Sequence, residues 1–275
     1  MILRYPKFDF SKTTPHWAKS TEFSHSFNAM SMLFPPLERF LNRVMITARG
    51  QITGKDAESE RILQDIDMFV RQEGVHFTVH TDYNDMLARH GLPDLPKFEA
   101  EMDESYRQML KTEPLKFLVA YCESFEILGP IFANVWLDDI GDLFEGGEPN
   151  AVAMFKWHIS EEFEHKTVCY DVYHKLFGGY FYRIRALHRT LKHMGAYTRR
   201  VLAYILEKEW AGMTEEQVTT SMQRMKSIDR RIGRLALKHL WRIYLPGYSP
   251  RKAKKPDNYA GAIGAIEREY VPQPA

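Results

Sequence analysis

Trp157-His-Ile-Ser-Glu-Glu-Phe-Glu-His-Lys166 decides how this chain reads. Within it Glu162 and His165 are three residues apart, so on a helix they share a side and can bite one metal ion. The same stripe continues through Phe155, His158, Cys169 and Val172, the pattern a helix turns toward its neighbours in a bundle. Working outward, Arg71-Gln-Glu-Gly-Val-His76 repeats the Glu-x-x-His unit, with Ile66, Phe69, Glu73, His76, His80 and Tyr83 on one stripe. Phe34, Glu38, Leu41 and Met45 share a face of a third segment; Val119, Glu123, Ile127 and Pro130 share one of a fourth. Carboxylates and imidazoles amid four apolar seams are costly to bury unless a cation compensates them.

One Glu-x-x-His pair says little. With 22 Glu and 11 His in 275 residues, chance yields roughly 0.9 such pairs. A third copy, Glu22-Phe-Ser-His25, lies where no long amphipathic helix is expected and reads as coincidence. The informative feature is the set, in which Glu38, then Glu73 and His76, then Glu123, then Glu162 and His165 each occupy the inward stripe of a separate segment. His80 and His158, one turn away on the same stripes, and Glu126 and Glu164, beside the assigned carboxylates, are candidates for extra ligands or for groups that orient them. Glu161 and Glu164 fall off the seam.

The segments are helical and no strand alternation of useful length occurs, so an all-α fold is expected. Pro35 and Pro36 suit the first turn of a helix running from about 36 to 48. Asp56 can cap a helix that runs to His90. Pro93 and Pro96 open a crossover with a shorter helical pattern at 97–111. A helix from Pro114 to 139 is interrupted at Gly129-Pro130, and another spans about 150–177. Two basic helical stretches follow, 181–210 and 214–244, and then a loosely held tail. Residues 1–180 are expected to form a metal-binding bundle with an N-terminal arm, and 181–275 a basic helical extension packed on it.

The order Glu, Glu-x-x-His, Glu, Glu-x-x-His resembles the ligand plan of the ferritin-like di-iron superfamily. The strings Phe34-Pro-Pro-Leu-Glu38-Arg-Phe40, Arg71–His76, Trp157–Lys166 and Asp171-Val-Tyr173 resemble a bacterial family of predicted metal-dependent hydrolases, over roughly residues 15–180. That resemblance implies a ferritin-like four-helix bundle with a long crossover and added C-terminal helices. It also implies Glu38, Glu73, His76, Glu123, Glu162 and His165 as ligands of two metal ions. Ser124 stands after Glu123 where the family has His, so the ligand on that segment departs from the pattern.

Composition narrows the function classes. Lys and Arg number 37 against 36 Asp and Glu, which excludes a polycation built to coat nucleic acid. Residues 1–180 carry 18 Lys/Arg against 28 Asp/Glu, and 181–255 carry 18 against 5. The basic stretch reads as a solvated face packed on the acidic bundle or on a second subunit in a homodimer; contact with an anionic membrane is the less favoured reading. Two cysteines, Cys122 and Cys169, exclude a thiolate cluster. No secretory signal pattern opens the chain, and a cytoplasmic protein is expected.

Glu-rich ligation by iron, or by manganese or a mixed pair, leads us to expect a di-iron oxygenase. Such an enzyme uses dioxygen to oxidise a small organic substrate and draws electrons from an external donor. The alternatives are a hydrolase with a metal-activated water and a non-catalytic iron-binding bundle.

Overall fold

Asp56 starts the longest helix because its side chain accepts a hydrogen bond from Ser59 N, satisfying a donor that the first turn leaves free. That helix, α3 (Ala57–Arg89), has 33 residues, a rod of about 50 Å. Before it come α1 (Thr21–Ser31) and α2 (Phe34–Arg49), the latter with Pro35 and Pro36 in its first turn. The crossover holds α4 (Leu95–Thr112), which packs on α2. Then follow α5 (Leu115–Glu126), α6 (Gly129–Asn134), a wider turn closed by Ile140 N donating to Val135 O at 3.0 Å, and the short α7 (Gly141–Phe144). The chain continues as α8 (Pro149–His165), α9 (Val168–Leu176), α10 (Tyr180–Trp210), α11 (Glu215–Leu240) and α12 (Tyr259–Glu269). The computed structural model describes residues 1–272; the last three residues of the C-terminal segment lie outside the described residues.

The fold is all-α, with no strand among the described residues. α2 lies along α3, α5 packs on α2 and α9, and α6 packs on α8. One continuous apolar cluster includes Phe27, Leu41, Phe69, Val119, Phe155, Val201 and Ile266, so the C-terminal helices share the core of the others. No helix among the described residues is long and apolar enough to cross a membrane.

Three local expectations change. The 150–177 helix is interrupted at Lys166-Thr167, directly after His165, and resumes as α9. Residues 21–31 are helical because Ser20 caps Phe23 N and because Phe23 and Phe27 bury against Trp17 and Phe144. The tail is anchored. Tyr259, Ile263 and Ile266 of α12 bury against α8, and Lys7 N donates to Tyr270 O at 2.8 Å.

Candidate metal centre

Four helices converge on one buried space. α2 brings Glu38, α3 brings Glu73 and His76, α5 brings Glu126 from its last residue, and α8 brings Glu162 and, from its last residue, His165. Each is sealed from solvent, with none more than 2% exposed. Glu73, Glu126 and His165 offer ligand atoms that all lie within 4.8 Å of one another, and so do Glu73, His76 and Glu162. Glu73 belongs to both groups, so the two share its carboxylate. Glu38 forms a third such group with His76 and His158.

The atoms facing this space lack hydrogen-bond partners. They are both carboxylate oxygens of Glu38, Glu73, Glu126 and Glu162, and Nδ1 of His76 and of His165. His165 Nδ1 lies 2.8 Å from Glu73 Oε1 and His76 Nδ1 lies 3.6 Å from Glu162 Oε1, contacts without hydrogen-bond alignment. Unpaired buried carboxylates are expensive, and their proton affinities reflect it. Burial, then the neighbouring carboxylates, pushes Glu38 and Glu126 well above the usual range and raises Glu73 as well. Burial opposes ionisation of Glu162 too, yet His76, His165 and His158 bring it down to about 2. Burial disfavours the His76 cation, but Glu161 and Glu162 outweigh it and raise the imidazole well above its ordinary value. A donor set of carboxylates and two Nδ1 atoms that make no aligned hydrogen bond among themselves fits divalent cations.

The outward sides of these candidate ligands are held. His76 Nε2 pairs with Glu161 Oε2 at 3.1 Å, and Glu161 in turn accepts from Arg4 Nη1 at 3.0 Å. His165 Nε2 meets Gln72 Oε1 at 3.3 Å, while Gln72 Nε2 donates to Ile2 O. Such partners fix ring orientation and leave Nδ1 turned inward. His158 Nδ1 pairs with His80 Nε2 at 3.1 Å, and His80 Nδ1 with Ser31 Oγ at 2.8 Å. Burial and His76 depress His158 to about 3, so its ring is neutral. Sequence reasoning set Glu161 aside as off the seam and passed over Gln72 and Arg4. The one available signal was position, since Gln72 and Glu161 each directly precede a candidate ligand.

Glu123 does not join the group. It lies 3.5 Å from Arg183 Nη1 of α10, and burial, partly offset by Arg183, pushes its carboxyl up to about 7. Glu126, one turn on, occupies the place expected of Glu123. Glu164 points away as well. It accepts from Tyr259 Oη at 2.7 Å, Ile2 N at 2.8 Å and Arg4 Nη1 at 3.2 Å. The third Glu-x-x-His copy divides: Glu22 pairs with Arg224, while His25 and His16 both meet Glu209 Oε2, at 3.1 and 2.7 Å. Cys169 is sealed in the core with its thiol 3.6 Å from Met45 Sδ.

A cavity of roughly 360 Å³ reaches this centre, with His158 and Glu162 in its wall. Phe34, Leu128, Trp136 and Ile159 line its buried part, and α10 contributes Leu191, Met194, Gly195 and Thr198. His158 and Glu162 are the only titratable side chains among the described lining residues.

A family model described as predicted metal-dependent hydrolase matches residues 3–254. No curated protein and no solved structure matches the chain. The family match overturns the expectation of a dioxygen-activating di-iron oxygenase and supports the hydrolytic alternative. The expectation erred because a Glu-rich donor set serves a Lewis acid as readily as a redox centre, so ligand types alone do not select the chemistry.

Proposed function

The chain belongs to the predicted metal-dependent hydrolase family, and from that premise we propose that it hydrolyses an organic substrate at a pair of divalent metal ions, manganese or iron. Glu38, Glu73, His76, Glu126, Glu162 and His165 would hold them. The observation that carries this reading is the ring of buried carboxylate oxygens and inward Nδ1 atoms without partners of their own. The order of these residues along α2, α3, α5 and α8 supports grouping the fold with ferritin-like bundles, with the basic C-terminal helices as an extension whose α10 walls the cavity.

Bound there, a metal pair supplies Lewis acidity that polarises the scissile group and makes water more acidic. The protein contributes orientation. Glu161 and Gln72 hold the two ligand imidazoles at Nε2, and Arg4 fixes Glu161 in turn. The neutral His158 ring stands in the cavity wall beside Glu162, where it can exchange a hydrogen bond with an incoming water. Apolar lining keeps bulk water out and strengthens the electrostatic contacts inside.

Metal analysis after manganese loading tests the site. The native chain is expected to retain two ions, and Glu73→Ala and His165→Ala well under one. A full complement in either variant would refute the assignment. Turnover is expected to proceed anaerobically with manganese or zinc; hydrolysis needs no oxidant, and an absolute need for dioxygen would remove the reading.

A further inference from the structure

The cavity beside the centre is built for a particular kind of molecule. Its buried part is walled by Phe34, Leu128, Trp136 and Ile159, and its half-buried mouth by Met30, Phe125, Phe132 and Leu191. No Lys or Arg lies among the described lining residues, so an anionic head or tail meets no counter-charge along the wall. The only ionisable groups among the described lining residues, His158 and Glu162, stand together where the cavity meets the centre. At roughly 360 Å³ the space falls at the lower end of small-molecule sites, which run ~300–1,000 Å³. A slim apolar chain fits it better than a sugar, a nucleotide or a peptide, each of which would bury polar groups against hydrocarbon without partners.

We infer that the substrate is a neutral carboxylic ester with a short to medium alkyl chain, its chain in the cavity and its acyl carbon at the Glu162 end. This rests on the hydrolase reading above for the reaction and on the cavity alone for the class of molecule. The reaction balances with water as the only co-reactant. The water oxygen bonds to the acyl carbon, the bond from that carbon to the alkoxy oxygen breaks, and the alkoxy oxygen leaves as the alcohol with one water proton. The carboxylic acid formed loses its proton to solvent.

Trp136 provides a readout that does not depend on turnover, because bromine in contact with an indole quenches its fluorescence. Methyl 8-bromooctanoate added to metal-free protein is expected to quench the emission saturably, and Trp136→Phe is expected to remove most of that change. The carboxylate, 8-bromooctanoate, is expected to bind at least ten-fold more weakly. Two substitutions on α10 narrow the mouth. At Gly195 an added Cβ meets only the tip of Arg199, at 3.1 Å, and Thr198 is half-buried. Gly195→Leu and Thr198→Phe, checked for native circular dichroism, are each expected to weaken ester binding at least five-fold. No saturable quenching by the ester, equal binding of the carboxylate, or unchanged affinity in a folded mouth variant would overturn the inference. Ester binding without turnover of the manganese-loaded protein would leave the apolar cavity standing and remove the hydrolase reading. Turnover of small polar esters without octanoyl binding would do the reverse.

Discussion

His76 and His165 illustrate how single contacts set the chemistry. Each ring is held at Nε2 by a residue that lies outside the central space, Glu161 and Gln72 respectively, so that Nδ1 faces inward. Removing such a partner frees the ring. Glu161→Ala and Gln72→Ala are expected to lower metal affinity about 10- to 100-fold while leaving helix content unchanged, as read by metal-competition titration. Glu123 makes a separate prediction through pH. Its folded carboxyl holds the proton up to about 7, against 4.5 for the free group. The folded state therefore binds this proton more tightly than the unfolded chain. The resulting stabilisation is fully present below about pH 4.5 and is lost as pH rises to about 7. In denaturant titrations of metal-free protein, Glu123→Gln is expected to flatten the pH dependence across that window relative to the native chain.

Two helix interruptions shape the centre. α5 ends at Glu126 and α8 ends at His165, so each stops at a residue that faces the central space. The break after α5 lets Gly129 come against α8, where an added Cβ would sit 2.9 Å from the backbone oxygen of Glu162. Backbone at that distance has nowhere to go. Gly129→Ala is expected to destabilise the fold by about 1–3 kcal/mol and, by displacing Glu162, to reduce bound metal as well. Asp56→Ala serves as the contrast. It removes the cap of α3 at a cost of about 1 kcal/mol, but Asp56 lies 17 residues before Glu73, about 25 Å along the rod. Metal content is expected to stay intact there. Equal metal loss in both variants would mean that general destabilisation, rather than the close approach at Gly129, controls the centre.

At the scale of the whole molecule, the acidic first 180 residues and the basic C-terminal helices are complementary. Arg189, Arg200, Arg224 and Arg231 pair with Glu113, Glu101, Glu22 and Asp142, so part of the basic excess is directed onto the rest of the chain. A titration with duplex DNA or RNA at physiological salt is accordingly expected to show no sub-micromolar, salt-sensitive binding. The interior behaves differently. Chelation leaves its carboxylates facing one another, and Glu38, Glu73 and Glu126 then hold protons more tightly than they do in the unfolded chain. Their contribution, with that of His76, favours folding in acid and is lost as pH rises through their raised values, while the depressed His80 and His158 offset part of it. A chelator is therefore expected to lower the melting temperature more at pH 8 than at pH 5, and saturating manganese to restore it.

What the sequence determined alone was local. Apolar spacing of three and four defines α2, α3, α5 and α8, Asp56 marks where α3 begins, and the pairs Glu73/His76 and Glu162/His165 each share a side because one helical turn sets their geometry. The choice between Glu123 and Glu126 lay beyond such reasoning. Three residues on a helix differ by only about 60° around the axis, so both carboxylates fit one stripe. Arg183, arriving from α10, draws Glu123 aside and leaves the central space to Glu126. Arg4 supports Glu161 from near the start of the chain while its Nε donates to Glu267 near the other end. The cavity likewise exists only where α1, α2, α5, α6, α8 and α10 meet. Periodicity reports which residues share one helix face, but contacts between distant segments follow from packing, and packing alone decided that Glu123 lies against Arg183 while Glu126 joins Glu73 and His165.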